Sequence, residues 1–368
     1  MTLPLANADQ RIRFHAARAI LKNAIRENAF PAAAYGVLHQ GRVIALDALG
    51  HFMYESDSPE VTSETFFDLA SVTKILATTA AAMLLFDRRI LDLETPLGEI
   101  LPGFVIGREP GSHKERVTLR MLLAHSSGLP AYARLFEQHT AANQLLRACL
   151  QMKLEAPPGT RAEYSDIGFI LLGKALEVLA GDYLSRFCPR EIFVPLEMTS
   201  TVFCPPEKLR PQIPPTEIDT TFRKRMIQGE VQDEHAFVLG GLGGHAGLFA
   251  NTLDVLRFAA CILSEGRAAS GQQLFQPSTV RLFAARQNEP EGTSRALGWD
   301  TPTAPSSSGK YFSSSSIGHL GYAGTSLWID PERQLAVVLL TNRTWPDRSN
   351  KTIQTVRPAF HDAVSLAL

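Results

Sequence analysis

Asp68-Leu69-Ala70-Ser71-Val72-Thr73-Lys74-Ile75-Leu76-Ala77-Thr78-Thr79-Ala80-Ala81-Ala82-Met83-Leu84-Leu85-Phe86 sets one lysine inside a run that carries no other charge after Asp68. Apolar residues at 72, 75, 76, 80, 83 and 86 recur at helical spacing, and alanines and leucines fill the gaps. Such a segment has almost no polar face, so it is predicted to be a deeply buried helix. Ser71 and Lys74 lie three apart on one face of it. Burial disfavours the charged form of an amine, which makes Lys74 a plausible base at neutral pH for the hydroxyl of Ser71. Ser71 also sits near the helix N-terminus, where free N–H groups and the dipole favour developing negative charge.

S-x-x-K alone is a weak pattern, and Ser307-Ser308-Gly309-Lys310 repeats it. That second match sits in Pro302-Thr303-Ala304-Pro305-Ser306-Ser307-Ser308-Gly309, a stretch with turn chemistry and nothing to hold the serine against the lysine. Two further motifs single out the first match. Tyr164-Ser165-Asp166 opens the apolar helix predicted over Ile167 to Leu179, and is the only Y-x-[ND] of the chain. His319-Leu320-Gly321 precedes a strand-like run, Thr325 to Asp330, then a turn at Pro331-Glu332-Arg333 and a second run, Leu335 to Leu340. His39-Gln40-Gly41 and His245-Ala246-Gly247 share the H-x-G pattern, but only the triplet at 319 leads into a strand that could line a cleft.

In these three motifs and their order the chain resembles the serine β-lactamase and penicillin-binding-protein superfamily, in the branch with class C β-lactamases, a D-alanyl-D-alanine carboxypeptidase and D-aminopeptidases. Met121 to Pro130 and Gly247 to Asp254 are similar to framework segments of that family, and the resemblance runs from about residue 30 to the C-terminus. It implies that Ser71 forms an acyl-enzyme, that Lys74 holds or takes its proton, and that Tyr164 is the second candidate base. The backbone N–H groups of Ser71 and Tyr322 would form the oxyanion hole. Asp166, His319, Gly321 and His245 are the implied substrate contacts. Two of these depart from the family pattern. Asp166 replaces an asparagine, so an amide donor is lost. A carboxylate facing Lys74 would also favour the ammonium and push base duty toward Tyr164, unless Asp166 is simply the N-cap of its helix. His319 replaces a lysine, and a mostly neutral imidazole would hold a substrate carboxylate less firmly. Both changes argue against potent β-lactam turnover.

Composition excludes several classes. With 36 basic and 37 acidic residues among 368, net charge −1, there is no electrostatic footprint for nucleic acid. No apolar run is expected to reach membrane-spanning length. Met1 to Asp9 lacks the regions of a signal peptide, although a trimmed leader would look the same. The helix carrying Arg11, Arg13, Arg18, Lys22 and Arg26 is read as a domain helix with Ile12, Ala16, Ile20 and Ala24 as its buried stripe. Cys149, Cys188, Cys204 and Cys261 show no paired spacing and are read as reduced, which with the missing leader points to the cytoplasm.

A hairpin is predicted over Ala32 to Leu49, turning at Gln40-Gly41-Arg42, and helical signals dominate from Ser71 to about residue 290. Strands return near Trp299 and after His319, and a last helix, interrupted near Pro358, covers Ser349 to Leu366. The reading is an α+β, β-lactamase-like fold: an antiparallel sheet flanked by terminal helices (1–70 and 292–368), a mainly helical insertion (71–291), and the site at their seam. Glycines in 229–247 suggest close backbone approach to a ligand, and that segment is similar to one in members that cleave the amide joining N-acetylmuramic acid to L-alanine. Asp233, Glu234, His235 and His245 show no metal-ligand spacing. Neither metal nor cofactor is expected. The Ser-rich loop from Thr301 to Ser316 is a lid or a surface loop. The function expected is a serine hydrolase of amides or esters, with wall-derived muramyl-peptides as favoured substrates. A small-molecule carboxylesterase and a slowly deacylating penicillin-binding or sensor protein are the alternatives. Oligomeric state stays open.

Overall fold

A computed structural model describes residues 9–107 and 109–368. The reading of Met1 to Ala8 as leaderless lies outside the described residues. Strands β1 (Ala32–His39) and β2 (Arg42–Gly50) form the expected hairpin. Gln40 and Gly41 both take positive φ, 50° and 74°, the mirror-image turn whose twist suits a two-residue hairpin. The end of the chain supplies β3 (Ile317–Leu320), β4 (Ser326–Asp330) and β5 (Leu335–Thr341). All pair antiparallel in the order β2-β1-β5-β4-β3, with Tyr35 opposite Leu339 and His319 opposite Leu327.

Successive side chains of a strand face opposite ways, and here both faces are covered. Tyr35, Val37, Val337, Leu339 and Trp328 pack beneath two terminal helices, α1 (His15–Arg26) and, at the other end of the chain, Ile353–Leu366. The Tyr35 ring meets Phe360 edge-on at 5.3 Å. Ala34, Leu38, Leu327, Ala336, Val338 and Leu340 join the larger core of the helical region. There Thr252–Leu263, from inside the helical stretch, lies across the sheet. It comes so close to β1 that a Cβ on Gly36 would sit 2.7 Å from Leu256.

The segment quoted first is the axis of that core. We label it α2: a 3₁₀ turn at Ala70–Val72, a π-helical stretch Lys74–Thr79 and an α-helix Ala80–Asp87. It packs against α3 (Asp166–Ala180), and we label the later helices α4 (Thr252–Leu263) and α5 (Ile353–Leu366). The 18 residues Ala70–Asp87 are long and apolar enough to cross a membrane, contrary to the sequence expectation. They are instead mostly buried inside the protein, which accounts for their composition.

One further expectation is corrected. Phe14 interrupts the first helix and resets its phase, so the buried stripe is Phe14, Ala17, Leu21 and Ala24, and Ile12 is exposed. His319-Leu320-Gly321 does precede a strand, β4, and His319 itself lies in the edge strand β3. The Ser-rich loop is fastened, with Ser313 Oγ on Asp330 (2.7 Å) and the Lys310 N–H on Asp362 (2.6 Å), and none of 301–316 lines the cavity described below.

Candidate active site

Ser71 is delivered by a short sheet. Phe67–Asp68 pairs with Leu248–Ala250, and the Asp68 carboxylate accepts from the N–H of Ala70 (2.8 Å) and of Gln232 (2.7 Å). Ala70 is forced to φ 47°, a conformation rare outside glycine, and the chain turns there into α2. The half-buried Ser71 hydroxyl then faces Lys74 Nζ at 3.0 Å and Tyr164 Oη at 2.7 Å. Lys74 is fully buried and makes two further contacts, to Asp166 Oδ1 (2.7 Å) and to the carbonyl of His245 (2.9 Å). Tyr164 Oη also lies 3.1 Å from Asp166 Oδ1.

Asp166 is therefore not the helix cap. Ser165 is: its hydroxyl accepts from the Gly168 N–H at 3.0 Å and donates to the Pro130 carbonyl at 2.6 Å. Asp166, one residue on, is free to turn its carboxylate onto Lys74. The Tyr164 turn is clamped by His125, whose carbonyl takes the Glu163 N–H (2.8 Å) and whose Nδ1 takes that of Ser165 (3.0 Å). The His125 ring lies against Tyr164 and Phe169, with centroids 4.8 and 4.9 Å away. His125 went unnoticed as a site residue, although it lies in the quoted segment Met121 to Pro130. Arg295, over the Tyr164 ring at 5.7 Å, carried no sequence signal at all.

Burial sets the electrostatics. It pushes the Lys74 ammonium below its ordinary value, and Asp166 pulls it only part of the way back. It pushes the Tyr164 phenol well above 10, and Asp166 adds to that. The carboxylate does face Lys74, and the burial that disfavours the Lys74 ammonium also disfavours a Tyr164 phenolate. His319 is held down to about 3 by burial, with Lys74 and Arg295 adding to it, so its ring is neutral. Its Nδ1 donates to the Leu320 carbonyl at 2.8 Å, which leaves Nε2 as an acceptor. Gly321 must be glycine: a Cβ there would meet Thr325 Oγ1 at 1.9 Å and the Leu69 carbonyl at 2.6 Å.

His245 is not a substrate contact. Its side chain is fully buried behind Lys74, with Nε2 donating to Asp233 at 2.7 Å. The neighbouring glycines approach protein rather than ligand, since Gly244 abuts the Gly173 backbone of α3 and its carbonyl takes the Thr78 hydroxyl at 2.5 Å. Folding also draws Asp233, His235 and His245 together, with potential ligand atoms within 4.8 Å, the group that could hold a metal ion among the described residues. Linear spacing concealed it, because the third member arrives from the far side of a loop. Burial raises the Asp233 pKa, but the His245 charge and hydrogen bond outweigh this and hold the carboxyl well below its usual range.

Ser71, Tyr164, Asp166, His319, Gly321 and Tyr322 line one cavity of about 940 Å³. A serine held by a buried lysine and a tyrosine at the mouth of such a cavity, on this α+β fold, defines a serine hydrolase. The chain belongs to the beta-lactamase family, whose profile it matches from residue 17 to residue 357. It is 32% identical over 348 residues to the N-acetylmuramyl-L-alanine amidase of Bacillus subtilis (strain 168), covering 85% of this chain and 77% of that one. It is 33% identical over 309 residues to a protein of Escherichia coli (strain K12) provisionally named a D-alanyl-D-alanine carboxypeptidase, covering 77% of this chain and 70% of that one. Among solved structures, EstCE1, a hydrolase with promiscuous acyltransferase activity, superposes with a TM-score of 0.76 at 23% identity, covering 98% of this chain and all of that one.

Proposed function

We propose that the protein hydrolyses the amide between N-acetylmuramic acid and L-alanine in wall-derived muramyl-peptides, and does so in the cytoplasm. The observation that carries this reading is the Ser71 hydroxyl within hydrogen-bond reach of both Lys74 and Tyr164, at the edge of a cavity large enough for a sugar-peptide. The similarity to a muramyl-L-alanine amidase supplies the substrate class.

In this reading neutral Lys74 takes the Ser71 proton as Oγ attacks the lactyl carbonyl. The N–H groups of Ser71 and Tyr322 receive the oxyanion. Tyr164, kept a phenol by its raised pKa, passes a proton to the departing alanine nitrogen as the C–N bond breaks, and is reprotonated through Lys74. Water then hydrolyses the ester. Ser71→Ala is expected to abolish release of peptide from N-acetylmuramyl-L-alanyl peptides while leaving the fold intact. Lys74→Ala should cost at least about a hundredfold in kcat, the scale of a positioned base. Chromatography of the products, with intact mass to catch the acyl-enzyme, reads both. Release of D-alanine from a pentapeptide in place of free N-acetylmuramic acid would favour the carboxypeptidase reaction named for the second relative.

A further inference from the structure

Four buried histidines, His125, His245, His319 and His361, each give one ring nitrogen a hydrogen-bond partner. His235 is the exception. Its side chain is fully buried, and neither of its nitrogens meets a partner in hydrogen-bond geometry. A buried imidazole left without partners is costly, so its place needs a reason. The ring stands in the first turn of the short helix Glu234–Val238, flanked by the rings of Tyr132 (5.0 Å) and Phe136 (5.5 Å). On another side it faces the ring of His245, with centroids 6.3 Å apart. His245 Nδ1 is likewise buried without a partner.

Asp233 completes the group. Its Oδ1 accepts from His245 Nε2 (2.7 Å) and from the Ala236 N–H (2.8 Å), which leaves Oδ2 for a further partner. Of the seven carboxylates that line the cavity, Asp233 and Asp347 have no lysine or arginine within ion-pair distance among the described residues. Asp347 is exposed and accepts the Ser349 N–H at 2.8 Å, whereas Asp233 faces imidazoles alone. One ligand atom from each of Asp233, His235 and His245 lies within 4.8 Å of the others. The ligand atoms of a tetrahedral zinc ion stand about 3.4 Å apart, so closing on an ion asks for a shift of about an ångström. Two imidazoles and one carboxylate are donors for a transition metal, since magnesium and calcium take oxygen alone. Because Asp233 lines the cavity, an ion arriving from solvent has a way in. The Ala133 backbone is near enough to His235 to draw a ring proton toward it, the kind of partner that commonly orients a ligating imidazole.

We propose that Asp233, His235 and His245 form a site for a divalent transition-metal ion of the zinc type, with a fourth position left to water. The ion takes the place of the proton between His245 and Asp233. It would tie the loop that carries His245 to the helix that carries His235, and so fix the carbonyl that Lys74 Nζ contacts at 2.9 Å. The site stands apart from the amidase reading, and its test needs no substrate.

Protein stripped with a chelator and titrated with Zn²⁺ against a chromophoric chelator should bind about one ion per chain with Kd below about 1 μM, weaker than dedicated four-ligand zinc sites. Co²⁺ in its place should give the visible absorption of a four-coordinate ion with nitrogen and oxygen donors. His235→Ala should weaken Zn²⁺ binding at least about a hundredfold, as loss of a direct ligand costs more than loss of an outer partner. Its far-ultraviolet circular dichroism should be unchanged, since that side chain gives up no hydrogen bond. Asp233→Asn keeps a good helix cap while removing the anionic ligand, and should weaken binding at least about tenfold. It keeps the test decisive if His235→Ala does not fold. No binding by the wild type at about 100 μM Zn²⁺, or an affinity within about threefold of wild type in a folded variant, would overturn the site.

Discussion

Lys74 is pulled in opposite directions by its surroundings, and Asp166 is the neighbour that decides how far. Removing the carboxylate leaves burial unopposed. Asp166→Asn should therefore lower the Lys74 pKa further, and the acid limb of kcat/KM should move to lower pH by about one to two units, the scale of one adjacent charge. A limb that stays in place would show that Lys74 is not the group whose deprotonation limits the reaction. At this scale the contact of Ser71 with Lys74 was legible, because residues three apart share a helix face, whereas Tyr164, 93 residues from Ser71, was singled out only by the motif resemblance. His125, Arg295 and Asp233 were not legible, since each reaches the site across a long stretch of chain and only packing shows where it points. His245 misled for the same reason. A histidine in a glycine-rich loop reads as exposed, and here the loop is pressed against α3.

That contact carries a prediction for the elements. A Cβ on Gly244 would stand 2.5 Å from the Phe169 carbonyl and 2.8 Å from the Gly173 Cα, backbone atoms that cannot swing aside. Gly244→Ala should push the loop off α3 and take the His245 carbonyl away from Lys74. The expected result is a loss of about 1–3 kcal/mol in urea unfolding, the usual cost of overpacking. With it, kcat should fall at least about tenfold while KM shifts by less than about threefold, because Lys74 loses its placement and the cavity wall does not. The hairpin, α2, α3 and the closing strands could all be read from period and turn chemistry. The phase of α1 could not, because the break at Phe14 shifts which residues face the sheet. Nor could the 3₁₀ and π-helical geometry at the start of α2, which depends on what the backbone is tied to.

Across the whole molecule, several histidines are buried without charge. His361 is fully buried with Nδ1 on the Ser307 carbonyl at 3.0 Å, and burial holds it down to about 3. The unfolded chain takes up that proton near pH 6.5 and the folded one only near 3, so stability is lost as pH falls from about 6.5 toward 3. Urea unfolding at pH 7 and at about pH 5.5 should show the wild type losing about 1 kcal/mol more than His361→Gln over that interval. A sheet assembled from both chain ends was legible, since strand signals cluster there and a helical middle separates them. The position of α4 on the sheet was not, because its sequence is that of any buried helix.

The strand order has a consequence in time. β1 pairs with β5 across some three hundred residues, so during synthesis the opening hairpin keeps an unpaired edge until nearly the whole chain has emerged. Non-local pairing of this kind is slow to form and exposes sticky edges while it waits. Gly321, which follows directly on β3 and so needs β4 and therefore β5, can join Ser71 only after that closure. A nascent chain stalled before residue 341 should thus be unable to acylate itself, and the protein would first become reactive at the moment its last strand docks.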